Sequence, residues 1–185
     1  MPATLEREIK LRFESAEQAR QAVLAAGATP LHARRLQEDC LLDTPDEDLR
    51  GRRSGLRVRI EAGRSFITFK GAAQPALAKV REELETVVGD GTLLVRILEE
   101  IGFRVWFRCQ KYREEFALGD VIVAIDETPV GVFVEIEGGD RGITETAAAL
   151  GCARSDYLLD SYRSLFVQHC QQRGLTQTDM LFDAE

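Results

Sequence analysis

Glu6, Glu8 and Lys10 are spaced two apart, so in an extended stretch all three side chains leave the same face of the ribbon. Two carboxylates and an ammonium on one surface suit a ligand that combines a divalent cation with negative charge. The same alternation recurs downstream. Arg57 and Arg59 share a face of 56–60, Thr68 and Lys70 a face of 65–70, and Arg81, Glu83 and Glu85 a face of 80–85. Lys111 and Arg113, Asp126, and Glu135 and Glu137 complete the set. A solvated sheet face laced with ion pairs explains any one of these strands alone. The joint pattern argues against that explanation, because exposed faces ordinarily mix in Thr, Ser and Gln, whereas here Arg-x-Arg, Glu-x-Glu-x-Lys and Glu-x-Glu repeat as strict pairs.

If the sheet closes on itself, these residues line an interior that is too costly to desolvate unless water, metal and a polyanion fill it. Carboxylate oxygens suit Mg2+ or Mn2+, ions commonly shared between a few acids and substrate phosphates. Arg and Lys would neutralise several phosphate charges together, Arg through its planar fork. Positioning and charge stabilisation are most of what phosphoryl transfer asks of a protein. The chain has no G-x-x-x-x-G-K-[ST] loop and so is not a P-loop enzyme.

The elements that must hold these residues are legible as strands and helices in alternation. After the first strand, Ser15 and Gln18 form a capping-box pattern opening a helix that Gly27 ends. A strand over 34–42 runs into the turn Asp43-Thr44-Pro45-Asp46, and a hairpin at 61–64 joins 56–60 to 65–70. A mobile loop is expected over 74–78, and a helix over 89–102, capped by Asp90 or Thr92. Further strands are expected over 103–110, 111–115, 121–126 and 130–137, then helices over 144–150 and 156–172 and a frayed polar tail from Gly174. A helix ending in Gly27 before an Arg-rich strand is echoed by a helix ending in Gly102 before another, as in a closed barrel of two similar halves.

Composition narrows the function. At 185 residues the chain reads as a single domain with its core over 4–172 and a tail over 174–185. With 44% hydrophobic and 30% charged residues it has the make-up of a soluble protein. No run is long enough to span a membrane and residues 1–7 lack a secretion signal's apolar centre, so a cytoplasmic protein with no membrane partner is expected. A net charge of −7 disfavours nucleic acid as a partner. Cys40, Cys109, Cys152 and Cys170 are too scattered for a zinc cluster and are read as reduced thiols, and His32 and His169 as surface or packing residues.

These motifs, taken in order from Thr4 to Phe166, resemble the CYTH superfamily, whose members are also called triphosphate tunnel metalloenzymes and include class IV adenylyl cyclases, thiamine triphosphatases and inorganic triphosphatases. The residues carrying the resemblance are Glu6-x-Glu8-x-Lys10, Asp43-Thr44-Pro45, Leu56-Arg57-x-Arg59, Thr68-Phe69-Lys70-Gly71, Arg81-x-Glu83, Lys111-x-Arg113, Asp126 and Glu135-x-Glu137. The resemblance implies an α+β fold: a closed antiparallel eight-stranded β-barrel, the triphosphate tunnel, with helices packed outside. By position, Glu6, Glu8, Asp126, Glu135 and Glu137 would hold the metal, Mg2+ or Mn2+. Lys10, Arg57, Arg59, Lys70 and Arg113, helped by Arg81 and Lys111, would grip the triphosphate. Glu6, Glu8, Lys10 and Glu83 are the expected catalytic set, Glu83 orienting water or a second metal, and Glu85 is either part of the wall or a solvent-facing strand end. Many relatives place a basic residue just before or within the Ser-Tyr segment, whereas Ser161-Tyr162 follows Leu158-Leu159-Asp160, leaving Arg154 or Arg163 as the substitute.

The expected activity is metal-dependent hydrolysis of a small-molecule triphosphate: inorganic triphosphate, ATP or thiamine triphosphate. The alternatives are a class IV adenylyl cyclase making cyclic AMP and pyrophosphate, and a non-catalytic polyphosphate binder. A monomer or homodimer is expected.

Overall fold

A computed structural model of the chain describes residues 4–74 and 76–183. Eight strands form one closed antiparallel barrel: β1 (Thr4–Phe13), β2 (Thr29–Asp43), β3 (Gly55–Glu61), β4 (Arg64–Lys70), β5 (Lys79–Val88), β6 (Arg104–Leu118), β7 (Val121–Thr128) and β8 (Gly131–Glu137). Around the barrel the order is β1-β5-β4-β3-β2-β6-β7-β8, with β8 returning to β1. Exchanging β1–β4 with β5–β8 preserves every one of these neighbour relations. The two-halves echo in the sequence is therefore a pseudo-two-fold of the barrel, in which β2 corresponds to β6 and β3 to β7.

The strand alternation explains where the core lies. The charged phase points inward, so the apolar phase must be covered from outside. Ile9 and Leu11 of β1, Val123 and Ile125 of β7 and Val134 and Ile136 of β8 are buried against α1 (Ala16–Ala25) and α4 (Asp140–Ala149). Burying an aliphatic side chain of this size contributes about 1.5–3 kcal/mol. A smaller cluster, Leu42, Val58 and Leu98, lies under α3 (Gly91–Glu100). Gly91 seats that helix: its N–H donates to Ser65 Oγ at 3.0 Å, and a Cβ there would meet Ser65 Oγ at 2.8 Å.

The caps follow the sequence with one shift. Ser15 Oγ accepts from the Gln18 N–H at 3.1 Å, but the Gln18 side chain turns back to the Glu14 N–H instead of closing a box on Ser15. Asp90 caps α3 through the Leu93 N–H.

Three expectations are corrected. The strands expected over 103–110 and 111–115 are one continuous β6, because it pairs with the long β2 along its whole length. The helix expected from 156 begins at Tyr162 as α5 (Tyr162–Arg173), capped by Ser161. The preceding residues are extended because Leu158 exchanges backbone hydrogen bonds with Lys10 (3.0 and 2.9 Å), on the edge of β1 that β5 no longer covers. The tail beyond Gly174 is docked, not frayed. Met180 is fully buried, its N–H and C=O pair with Arg108 and Gln110, and its side chain joins Phe107, Phe133, Leu165 and Phe166. Residues 184 and 185 of that tail lie outside the described residues, as does Pro75 of the expected mobile loop. Within that loop the Gln74 N–H donates to the Val80 carbonyl and Ala78 is buried.

A four-residue helix the sequence did not suggest, α2 (Asp48–Gly51), follows β2. The buried Asp43 carboxylate accepts from the N–H groups of Thr44, Leu49 and Arg50, satisfying the donors of that turn. All four cysteines are free thiols, and among the described residues no helix is long and apolar enough to cross a membrane.

Candidate active site

A cavity of about 1080 Å3 opens into the barrel. Among the described residues of its wall, Lys and Arg outnumber Asp and Glu by eleven to eight, although the whole chain carries −7. The surplus comes from the mouth of the cavity, where Arg50, Arg53 and Arg163 join strand residues that are close to balanced in charge. Of the fourteen charged residues singled out by strand phase, Glu6, Glu8, Lys10, Arg57, Arg59, Lys70, Arg81, Glu83, Glu85, Lys111, Arg113, Glu135 and Glu137 all line this cavity. Asp126 alone does not. It is wholly buried behind the wall, where it accepts from Lys111 Nζ (2.8 Å), Arg113 Nε (2.7 Å) and the Tyr162 hydroxyl (2.6 Å).

Almost every cation of the wall is matched to a carboxylate, as a buried ionic interior requires. Glu6 accepts from Arg81 Nε at 2.9 Å and Lys70 Nζ at 3.2 Å. Glu8 faces Lys79 at 2.9 Å and Lys10 at 3.3 Å, and Lys10 reaches on to Glu135 at 3.1 Å. Arg113 joins Glu135 to Asp126, and Arg59 forms a bidentate pair with Asp39, both bonds at 2.7 Å. Arg57 is the least satisfied. It donates to Thr68 Oγ1 at 3.1 Å and Glu85 at 3.2 Å, while its buried Nε has no hydrogen-bond partner. Glu85 therefore belongs to the wall, although its side chain stays partly open to solvent.

The protonation states follow from these pairings. Burial pushes Glu6 up, but Glu83, Lys70 and Arg81 hold it well below the usual carboxylate range. Against the same opposition from burial, Lys10 and Lys79 bring Glu8 down to about 2. Burial, with Arg57 and Arg81 close by, lowers Lys70 to about 8. Two acids move the other way. Glu83 is raised by burial and by Glu6 beside it. Glu137 is raised to about 7 by burial and the charges of Glu6, Glu8, Glu83 and Glu135, even though its side chain still opens to solvent.

The donor set at this acidic end fits a hard divalent cation. Glu6, Glu8, Glu83, Glu135 and Glu137 offer only carboxylate oxygen, the choice of Mg2+ and Mn2+, and the raised Glu137 marks an acid cluster short of positive charge. Among the described residues no three carboxylates already stand together as a finished cage. Lysines and arginines are interleaved between them.

Several residues of the site escaped the sequence reading. Asp39 counters Arg59, and Lys79 counters Glu8; Lys79 lies in phase with Arg81, which was the available signal for it. Tyr162 enters the barrel from the first turn of α5, its ring 5.2 Å from Lys10 Nζ and 4.8 Å from Lys111 Nζ. Arg163 lines the cavity rim and Arg154 does not.

Comparison with known proteins agrees with this geometry. A model of the CYTH domain family matches residues 4–150. A protein of Methanocaldococcus jannaschii named "putative adenylate cyclase" is 29% identical over 142 residues, which is 76% of this chain and 81% of that protein. A Pyrococcus horikoshii protein of solved structure superposes with a TM-score of 0.74 at 26% identity, covering 86% of this chain and 98% of its own. At 21% identity and a TM-score of 0.65, the fold is shared with a putative adenylyl cyclase of Hippeastrum described as having a dominant triphosphatase activity, over 93% of this chain and 97% of that one.

Proposed function

The chain belongs to the CYTH domain family, and from that premise we propose that it is a divalent-metal-dependent enzyme hydrolysing inorganic or organic triphosphates inside the barrel. The observation that carries the reading is the net positive, acid-studded wall of an enclosed cavity in a chain that is acidic overall. A polyanion and a cation together satisfy such a wall, and neither does so alone.

In this reading the residues act by exchanging partners. Arg57, with its free Nε, and Lys70, Arg81, Arg59, Arg113 and Lys10 turn from carboxylates to phosphate oxygens, and Lys111 supports them. Glu6, Glu8, Glu135 and Glu137, released from those cations, would hold Mg2+ or Mn2+, which supplies charge neutralisation on the phosphates and a more acidic water. Glu83, raised and facing the cavity, accepts the proton of the attacking water or orients it. Asp126 orients Lys111, Arg113 and Tyr162 from behind the wall and does not ligate the metal. Attack of water on the terminal phosphorus forms the new P–O bond and breaks the bridging one, so the diphosphate portion leaves and orthophosphate is released as the second product.

The second reading is an adenylate cyclase, favoured by the M. jannaschii relative's name. There the 3′-hydroxyl of ATP attacks the α-phosphorus and pyrophosphate leaves. Product identification after incubation with ATP or inorganic triphosphate and Mg2+ or Mn2+ separates the two: orthophosphate supports hydrolysis, and cyclic AMP with pyrophosphate supports cyclisation. Tight binding without turnover would leave a polyphosphate binder. Glu6→Gln or Glu8→Gln should abolish metal-dependent turnover in a folded protein, and retained turnover contradicts the metal assignment.

A further inference from the structure

A second hollow of about 380 Å3 adjoins the main cavity, and the two share only Trp106 and Arg163. Their characters differ sharply. The first is walled by charge, whereas among the described residues Arg163 is the single charged one lining the second, alongside groups such as Phe166, Val167 and Leu175. At the junction the Arg50 guanidinium lies 4.3 Å from the Trp106 ring centroid and the Arg163 guanidinium 5.0 Å from it. Both arginines are presented by elements the fold has gone out of its way to fix. Arg50 sits in α2, its side chain tied to the buried Asp43 at 3.2 Å and to Glu47 at 2.8 Å. Arg163 directly follows Tyr162, whose hydroxyl is anchored to Asp126 inside the barrel.

We propose that this Arg50–Trp106–Arg163 stack docks the planar aromatic base of an organic triphosphate, whose phosphates lie in the charged cavity. The inference rests on the triphosphate reading and names its substrate class as nucleotide-like. Inorganic triphosphate would use only the charged compartment. A guanidinium held over an indole ring offers a cationic surface beside an aromatic one to a heterocycle, and Arg and aromatic side chains are the usual platforms for bases. The main cavity, at about 1080 Å3, slightly exceeds the roughly 300–1,000 Å3 typical of pockets that hold drug-sized ligands, which leaves room beside three phosphates.

Trp106 is the chain's single tryptophan, so the wild-type protein reports on its own rim. The imido analogues of ATP and of inorganic triphosphate, which resist hydrolysis, are titrated in Mg2+ while tryptophan emission is recorded and affinity is measured by calorimetry. The ATP analogue should change the emission and bind about tenfold more tightly than the triphosphate analogue, in line with the stacking of one base. The triphosphate analogue should bind and leave the emission unchanged. Trp106→Leu and Arg163→Gln should each narrow that affinity ratio towards one. Equal affinity of both analogues with unchanged emission overturns the base site and leaves the triphosphate reading standing. Failure of both analogues to bind overturns the triphosphate reading itself and the base site with it.

Discussion

Replacing Asp39 by Asn tests whether the cations of the wall are held in reserve for phosphate. Asp39 and Arg59 are 6% and 9% exposed and joined by two bonds of 2.7 Å. Removing one member of a buried pair costs about 3–5 kcal/mol, because the surviving charge is left uncompensated. Asn keeps a neutral hydrogen bond, so the lower end of about 3 kcal/mol applies, or roughly 6–12 °C in melting temperature for a chain of this size. The sign of the pH dependence follows from the pair. Arg59 holds the Asp39 carboxyl well below its usual value, burial notwithstanding. Its stabilisation is therefore present above the unfolded value near 4 and is lost as pH falls towards the folded one, so the gap between wild type and variant narrows in acid. Inorganic triphosphate supplies the missing anion, and its stabilising increment should be larger in the variant than in the wild type. Differential scanning fluorimetry at pH 7 and pH 3, with and without inorganic triphosphate, measures all of this. An unchanged melting temperature, or a ligand increment no larger in the variant, refutes the reasoning.

The remaining predictions concern the neighbouring wall and the tail. Because burial and two arginines lower Lys70 to about 8, its charge is lost above that pH, so triphosphate affinity by calorimetry should weaken between about pH 8 and pH 10. Lys70→Arg should remove that weakening, since a guanidinium stays charged. Tyr162→Phe takes a donor from the buried Asp126 and should cost about 1.5–3 kcal/mol in urea unfolding; no loss would mean that this hydroxyl does not anchor α5. Met180→Ala should cost about 2–5 kcal/mol if the tail is docked as its burial indicates, and an unaltered midpoint would return the tail to a frayed one.

Strand phase was the legible part of this molecule. Glu6, Glu8 and Lys10, Arg57 and Arg59, and Glu135 and Glu137 could be placed on one inner surface because a period of two leaves no other arrangement for strict pairs. What was missed lies where the pattern is ambiguous. Gln37-Glu38-Asp39 is polar on both faces, so only the register of β2 against β3, which sets Asp39 opposite Arg59, reveals the counter-ion. Met180 opens the short apolar run Met180-Leu181-Phe182 inside an otherwise polar tail, and the backbone bonds that hold it to β6 are not visible in the local pattern. Asp126 has the right residue type and the right strand, yet three donors enclose it behind the wall. Arg50, Trp106 and Arg163 are far apart in sequence and meet only because α2 and the first turn of α5 converge on the end of β6.

A crystal structure of the protein soaked with Mn2+ and inorganic triphosphate shows whether metal and polyanion share the barrel, because Mn2+ is located by its anomalous scattering. The account predicts a manganese peak among Glu6, Glu8, Glu135 and Glu137 inside the barrel, with phosphate oxygens within hydrogen-bonding distance of Arg57, Lys70 and Arg81. Manganese and triphosphate bound only outside the barrel, with the interior ion pairs undisturbed, would contradict it.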